Sequence, residues 1–320
     1  MPHQRISGWI SILSFIGALA FAGAASAANP AGLYYEDHAN APYTNIASFH
    51  APTALLVTGR CNRTDKHFAQ ARAAGAEVLA YIDAVDILTT PKHCAAEFFT
   101  GAQLWPHKDA QGNDRVNWKK SKLGDLRVGS SWANAVVAYV EGLMRDGNVD
   151  GVMLDVVGAR LWAADWNNWS EAEQNEWTAG NVDLVRRLND SRKRIDPSFI
   201  IINNNFWNPK KTAPDPKVVY PGEQYVDGIV IEDHAATEMN SRAFAGRRYG
   251  NPGAGHEQRR VLVITRSPSD ALAWTNVAGV THVALQGSSY AYGEPPVVSP
   301  TPLTDRRKKW YCRMPPDGLI

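Results

Sequence analysis

The chain has 320 residues, 44% of them hydrophobic and 20% charged, with a formal net charge of +1. That length can bury a sizeable core, as one large α/β domain or two smaller ones. Near-neutral charge without a lysine or arginine stripe excludes nucleic acid as an electrostatic partner.

The first stretch carries Arg5, an apolar run from Trp9 to Ala22, and Ala25-Ser26-Ala27. A basic start, a short apolar core and a small-x-small site make up a secretory signal, so residues 1–27 are expected to be removed near Ala27. An uncleaved membrane anchor is the competing reading, but the run is short for a span, and no second run of spanning length follows. The expectation is a secreted or periplasmic monomer without a stable membrane anchor, with residues 28–320 forming one catalytic domain. Cys61, Cys94 and Cys312 allow one disulfide. Their pairing stays open, with Cys61–Cys94 as a first guess.

Short β-branched runs then recur: “GLYYE” (32–36), “TALLVTG” (53–59), “EVLAYID” (77–83), “DGVMLDV” (150–156), “FIIINN” (199–204), “DGIVIED” (227–233), “RVLVITR” (260–266) and “THVALQG” (281–287). Nearly continuous apolar runs mark strands buried on both faces, as in parallel sheets. Between them lie helix signals. “TDKHFAQARAAG” starts at Thr64 and ends at Gly75, and “SSWANAVVAYVEGLMRDG” stops at Gly147. A third stretch opens on the capping pair Ser170 and Glu173 and ends before Pro197, and “SPSDALAWTNVAG” separates the last two strands. Eight β-then-α units predict an α/β fold, a single (β/α)8 barrel. A doubly wound sheet is less well supported, because no Gly-x-Gly-x-x-Gly follows the first strand. One long excursion, Asp86 to Val128, follows the third strand and would lie over the C-terminal face, where barrel loops build active sites.

Polar residues ending barrel strands face that site. The mouth so predicted is rich in carboxylates: Glu36 and Asp37, Asp83 and Asp86, Asp155, Glu232 and Asp233. Two of them stand out. Asp155 in “DGVMLD” and Glu232 in “DGIVIE” each lie five residues past an Asp that precedes Gly. Side-chain alternation therefore points both the same way on the fourth and sixth strands, and inward residues of alternate strands share a layer. Strands about 4.8 Å apart bring the two backbones within about 9–10 Å. Their carboxyl groups then fall in the roughly 5–9.5 Å span that glycoside hydrolysis uses. One carboxyl protonates the leaving oxygen, and the other attacks carbon or activates water. The competing reading is a pair of salt-bridged rim residues.

Asp83 is a third acid, suited to tuning a neighbour by like-charge proximity or to binding a sugar hydroxyl. Tryptophans and donors nearby suit a pyranose, which has apolar C–H faces and a hydroxyl rim. Arg160, Trp162, Trp166, Asn203, Asn205, Trp207, Arg266, Gln286 and Asp37 complete the candidate substrate-binding set, although about half the tryptophans are expected to be structural. Trp132, Trp177 and Trp274 lie in helices and are assigned to the core. No Gly-x-Ser-x-Gly and no His-Glu-x-x-His occurs, and the nine histidines are scattered. No metal site or cofactor is expected. A non-catalytic carbohydrate-binding barrel and a metal-dependent polysaccharide deacetylase remain as alternatives.

On “AYIDAVD”, “DGVMLDVV” and “DGIVIEDH” the chain resembles secreted barrel glycoside hydrolases. The likeness is greatest to the endo-α-1,4-polygalactosaminidase type (glycoside hydrolase family 114) and to related hypothetical glycosyl hydrolase families. It departs from family 114 at Val85-Asp86, where those members tend to carry Gly-Glu. The resemblance implies a polysaccharide or oligosaccharide substrate, of amino-sugar or galactose type, and carries the catalytic pair onto Asp155 and Glu232.

Overall fold

The computed structural model describes residues 31–36, 55–58, 68–69, 72–73, 77–87, 105–117, 121–161, 165–209, 218, 220–236, 260–277 and 280–285. The signal segment, the three cysteines, and Asp37, Trp162 and Gln286 of the candidate site lie outside these. No described helix is long and apolar enough to cross a membrane.

The strands, in chain order, are β1 (Ala31–Glu36), β2 (Leu55–Thr58), β3 (Glu77–Asp83), β4 (Asp86–Ile87), β5 (Lys122–Leu123), β6 (Gly151–Asp155), β7 (Ile200–Asn204), β8 (Gly228–Glu232), β9 (Arg260–Thr265) and β10 (His282–Leu285). All but β4 and β5 pair in parallel, in the ring order β1-β10-β9-β8-β7-β6-β3-β2. Each of the eight strands expected from the sequence is in that ring. Three helices are described: α1 (Ser131–Asp146), α2 (Glu171–Ile195) and α3 (Pro268–Thr275). The ends fall where local chemistry puts them. Ser130, Ser170 and Ser267 each accept an N-terminal backbone N–H, and Gly147 ends α1 at φ 64°.

Alternation along the strands divides the core in two. Leu79, Tyr81, Met153, Ile200, Ile202, Val230, Leu262 and Ile264 fill the barrel interior. Val152, Leu154 and Ile201 face outward onto the stripe Trp132, Val136, Val140 and Leu143 of α1, and onto Trp177 and Leu184 of α2. Ile229, Ile231, Val261 and Val263 face Trp274 of α3. The three helical tryptophans are fully buried, as expected. Across the bottom of the interior Arg260 of β9 reaches Glu77 of β3, the strand opposite, through both its Nε and Nη2.

The Asp-Gly pairs at the starts of β6 and β8 are structural. Asp150 Oδ2 accepts the Val78 N–H of β3 at 2.8 Å, and Asp227 Oδ2 accepts the Ile201 N–H of β7 at the same distance. The backbone oxygens of the two aspartates then take the first N–H of the next strand, from Ile200 and Arg260. Thr281, just before β10, repeats the clasp on Val261 N at 3.0 Å. Both glycines permit close approach, since a Cβ at Gly151 or Gly228 would lie 2.2 Å from a carbonyl oxygen of the neighbouring strand. Arg192 of α2 closes one clasp by pairing with Asp227, both side chains being wholly buried, while Arg72 pairs with Asp150 in a partly exposed setting at 3.0 Å.

The described part of the excursion after β3 forms its own pairing. β4 runs antiparallel to β5, with further bridges Pro106–Gly124, Lys108–Asp114 and Val116–Lys122. It is fastened to α2 by Arg115, which binds Glu173 through two nitrogens, and by His107, set edge-on to Trp177 at 5.7 Å; His107 also stacks at 5.3 Å on Trp169, just before the helix.

The two clasps differ in burial, and their loss is expected to differ accordingly. Asp227→Ala strands a buried guanidinium and should lower unfolding free energy by about 3–5 kcal/mol. Asp150→Ala, with a solvent-reached partner, should cost about 1–2 kcal/mol. Urea unfolding of the two variants measures the difference, and equal losses would contradict the role assigned to burial.

Candidate active site

Interior parity decides which polar residues meet at the mouth. On β3 the interior positions are Leu79, Tyr81 and, continuing the alternation, Asp83; on β6 they are Met153 and then Asp155. On β7 they are Ile200, Ile202 and Asn204, and on β8 Val230 and Glu232. Asp83 pairs in register with Asp155, Asp155 with Asn204, and Asn204 with Val230. Glu232 lies two residues beyond Val230. Over two strands, an offset of two residues is what the tilt of a closed barrel requires for side chains to share a layer.

Asn204 stands between the two acids and bonds to both. Its Nδ2 donates to Asp155 Oδ1 at 2.8 Å and to Glu232 Oε2 at 2.6 Å. One nitrogen at those two distances holds the two carboxylate oxygens no more than 5.4 Å apart. Asp155 takes further bonds from the Tyr81 hydroxyl, at 2.7 Å on Oδ2, and from the Val156 N–H, at 2.9 Å on Oδ1. Asp155, Asn204 and Glu232 are all partly exposed.

The residue after each acid is bent the same way. Val156 has φ 60° and Asp233 has φ 53°. Left-handed backbone is costly for a β-branched residue, and such outliers gather at functional sites. Here the turn takes the chain off the rim immediately after each carboxylate. Asp233 is held there by an ion pair with Arg266.

Asp83 is buried at 5% exposure beside this pair. Its Oδ1 accepts the N–H groups of Val85 and Asp86, at 3.1 and 2.8 Å. Burial first, then the negative charges of Asp86 and Asp155, push its carboxyl well above the ordinary range, against the lowering effect of those two bonds. Asp86 is itself buried, and it accepts from Asn117 Nδ2 and Ser121 Oγ at 2.7 Å each, tying the mouth to the excursion.

Several candidates from the sequence are elsewhere. Asn203 is wholly buried on the outward face of β7, and its amide donates to the carbonyls of Val157 and Asn205. Asn205 turns its amide toward the Val156 and Arg160 carbonyls, and its Oδ1 accepts the Phe206 N–H. Trp166 and Trp207, 5% and 1% exposed, pack into the core between barrel and helices. These four are corrected from ligand-facing to structural. Arg160 donates to Asn167 on the same loop at 3.3 Å. Asn204 and Tyr81 are the two residues at the site that reading the sequence missed. Extending to β3 and β7 the alternation already used for Asp155 and Glu232 would have found them.

No family model and no curated protein matches the chain. Solved structures do. The glycoside hydrolase domain of PelA from Pseudomonas aeruginosa superimposes with a TM-score of 0.51 at 12% identity, covering 82% of this chain and 97% of that one. A variant of that domain gives 0.52 at 13% identity, with the same coverage. Aspergillus fumigatus Ega3 in complex with galactosamine gives 0.46 at 14% identity, covering 80% and 89%. At such identities the PelA likeness is one of fold, and it extends over nearly the whole of that domain.

A raised carboxyl weakens folding as pH climbs, because the unfolded chain ionises first near its ordinary value of 3.8 while the folded one must keep its proton. Wild-type stability from this group is therefore full below that value and is lost as pH rises toward the folded one. Asp83→Asn, which keeps the Oδ1 acceptor, should gain on wild type from about pH 4 upward, by at most about 1.4 kcal/mol per pH unit. Urea titrations at pH 4, 5.5 and 7 test this; a stability difference independent of pH would refute it.

Proposed function

We propose that the chain is an exported glycoside hydrolase that cleaves a polysaccharide with retention, using Asp155 and Glu232. The ring of parallel strands is taken as the wall of a complete (β/α)8 barrel, with the pair at its C-terminal mouth. The observation that carries this reading is the single Asn204 nitrogen bound to both acids, which keeps their facing oxygens within 5.4 Å. Retaining enzymes hold their carboxyls about 5–5.5 Å apart, whereas inverting ones leave roughly 6.5–9.5 Å for a water.

The roles follow from the donors. Among the described residues, donors from Tyr81, Val156 and Asn204 on Asp155 suit the ionised form that a nucleophile needs. Glu232, across Asn204, is then the proton donor to the leaving oxygen and later the base for the incoming water. The proposed substrate is an amino-sugar or galactose-type polymer. Support comes from the likeness of “DGVMLDVV” and “DGIVIEDH” to family 114 motifs, and from the carboxylates Asp83, Asp155, Glu232 and Asp233 gathered at one rim. Asp37, Trp162 and Gln286, outside the described residues, remain proposed contributors to the subsites, and the start of the chain is proposed to direct export.

The test is reducing-end release from an α-1,4-linked galactosamine polymer by wild type, Asp155→Asn and Glu232→Gln. Each variant should lose about 10²–10⁴ in kcat, the usual contribution of a positioned acid or base. The first-formed anomer, followed by NMR, should match that of the substrate linkage. Near-wild-type turnover in both variants would overturn the reading.

A further inference from the structure

The run Asn203-Asn204-Asn205 ends β7, between the strands that carry the two acids. Its outer members are committed to backbone carbonyls: Asn203 to those of Val157 and Asn205, and Asn205 to those of Val156 and Arg160. They pin the loop after β6 to the end of β7. Only the middle residue has interior parity, and both of its contacts are carboxylate oxygens. Two acceptors require the donor end of an amide, so both N–H bonds of one nitrogen are engaged, one toward each acid.

We propose that Asn204 is the positioning residue of both half-reactions, its one amide nitrogen holding the negative charge at Asp155 before the first transfer and at Glu232 after it. The inference rests on the hydrolase reading above. In the first step an Asp155 oxygen bonds to the anomeric carbon, the bond from that carbon to the leaving oxygen breaks, and the Glu232 proton passes to that oxygen. The charge thereby leaves Asp155, now an ester, and appears on Glu232. In the second step Glu232 takes a proton from water, the water oxygen bonds to the anomeric carbon, and Asp155 departs as carboxylate. In each step the charge passes between two groups already bound to the same donor. No donor has to be recruited while the bond changes, and such preorganisation is what makes a fixed dipole effective in catalysis. Tyr81 differs, because its hydroxyl reaches Asp155. Among the described residues, Asp83 on β3 interacts with Asp155 through its charge, and the Asp233–Arg266 ion pair lies at the ends of β8 and β9.

The experiment compares Asn204→Ala with Tyr81→Phe, reading both the titration of the two carboxyls and the rate. Selectively ¹³C-labelled Asp and Glu carboxyls, assigned with Asp155→Asn and Glu232→Gln, are titrated by NMR without substrate; hydrolysis of the galactosamine polymer supplies kcat and KM. In Asn204→Ala both carboxyls lose a donor to their charged form, so both titration steps should move to higher pH. Its kcat should fall about 10²–10³-fold, as when an oxyanion donor is removed, with KM little changed. Tyr81→Phe should move mainly the Asp155 step. The proposal is overturned if Asn204→Ala leaves either step at the wild-type pH, or if Tyr81→Phe moves both equally. If thermal melting shows Asn204→Ala to be unfolded, the near-isosteric Asn204→Leu replaces it. Wild-type turnover in Asp155→Asn and Glu232→Gln would sink the hydrolase reading, while the titrations would still decide whether one amide serves both acids.

Discussion

The site depends on strand register, and register depends on what happens at the opposite end of the barrel. A slip of one residue in a strand turns every side chain to the other face. In β6 it would send Asp155 into the helix layer, and in β8 it would do the same to Glu232. Asp150 and Asp227 make such slips costly. Each accepts an N–H of the preceding strand through its side chain and offers its own carbonyl to the next, so one residue ties three strands at a single level. The adjoining glycines let the neighbouring carbonyls come closer than any Cβ would allow. The repeated Asp-Gly-apolar-acid pattern thus has two halves with different duties. Its first two residues set the height of the strand, and its last places a carboxylate about 13–16 Å away at the rim, since a strand advances about 3.3 Å per residue.

Electrostatics at the two ends reflect that division. At the bottom the charges are neutralised in pairs: Arg260 with Glu77 across the interior, and Arg192 with Asp227 under α2. At the mouth Asp83, Asp86, Asp155 and Glu232 converge, and among the described residues neutral donors bond to them: Tyr81, Asn117, Ser121, Asn204 and backbone amides. Hydrogen bonds of this kind hold carboxylates in place without cancelling their charge. Like charges gathered at the mouth favour leaving a proton on one of them, and Asp83, the most buried of those on the interior face, is where burial and its neighbours drive it.

The strand ring was legible from the sequence because strands buried on both faces leave unbroken apolar runs, and all eight of those runs are strands. That same continuity hides the facing of each residue. For β6 and β8 the shared distance from Asp-Gly supplied a phase, so Asp155 and Glu232 could be assigned to one layer, and the Asn204 bridge brings them together. β7 carries no such marker in “FIIINN”, so the sequence does not tell which of three consecutive asparagines faces inward; it is the central one. The tryptophans misled for a different reason. Trp166 lies in the loop after β6, but its exposure is set by α2 and the neighbouring Trp169, at 5.1 Å between rings. Those partners are distant in the pattern of the sequence and adjacent only once the excursion and α2 have packed.

The excursion explains how a mouth so rich in acids can keep its shape. Asp86 opens it and binds two of its residues, Asn117 and Ser121, while its far side is held to α2 by Arg115 on Glu173 and by His107 against Trp177. Asp83 reaches the same segment through the Asp86 N–H. A displacement of this segment would therefore alter two buried carboxyls at once, Asp86 by loss of its donors and Asp83 through the charge beside it. Asp155 would feel that change, because it pairs in register with Asp83 and shares its field. By contrast, Glu232 on β8 is linked to Asp155 through Asn204, and its strand pairs with β7 and β9, away from the excursion. The two acids thus stand in unequal surroundings, Asp155 beside Asp83 and the excursion and Glu232 set into the barrel wall, and the division of duties proposed for them calls for such an asymmetry.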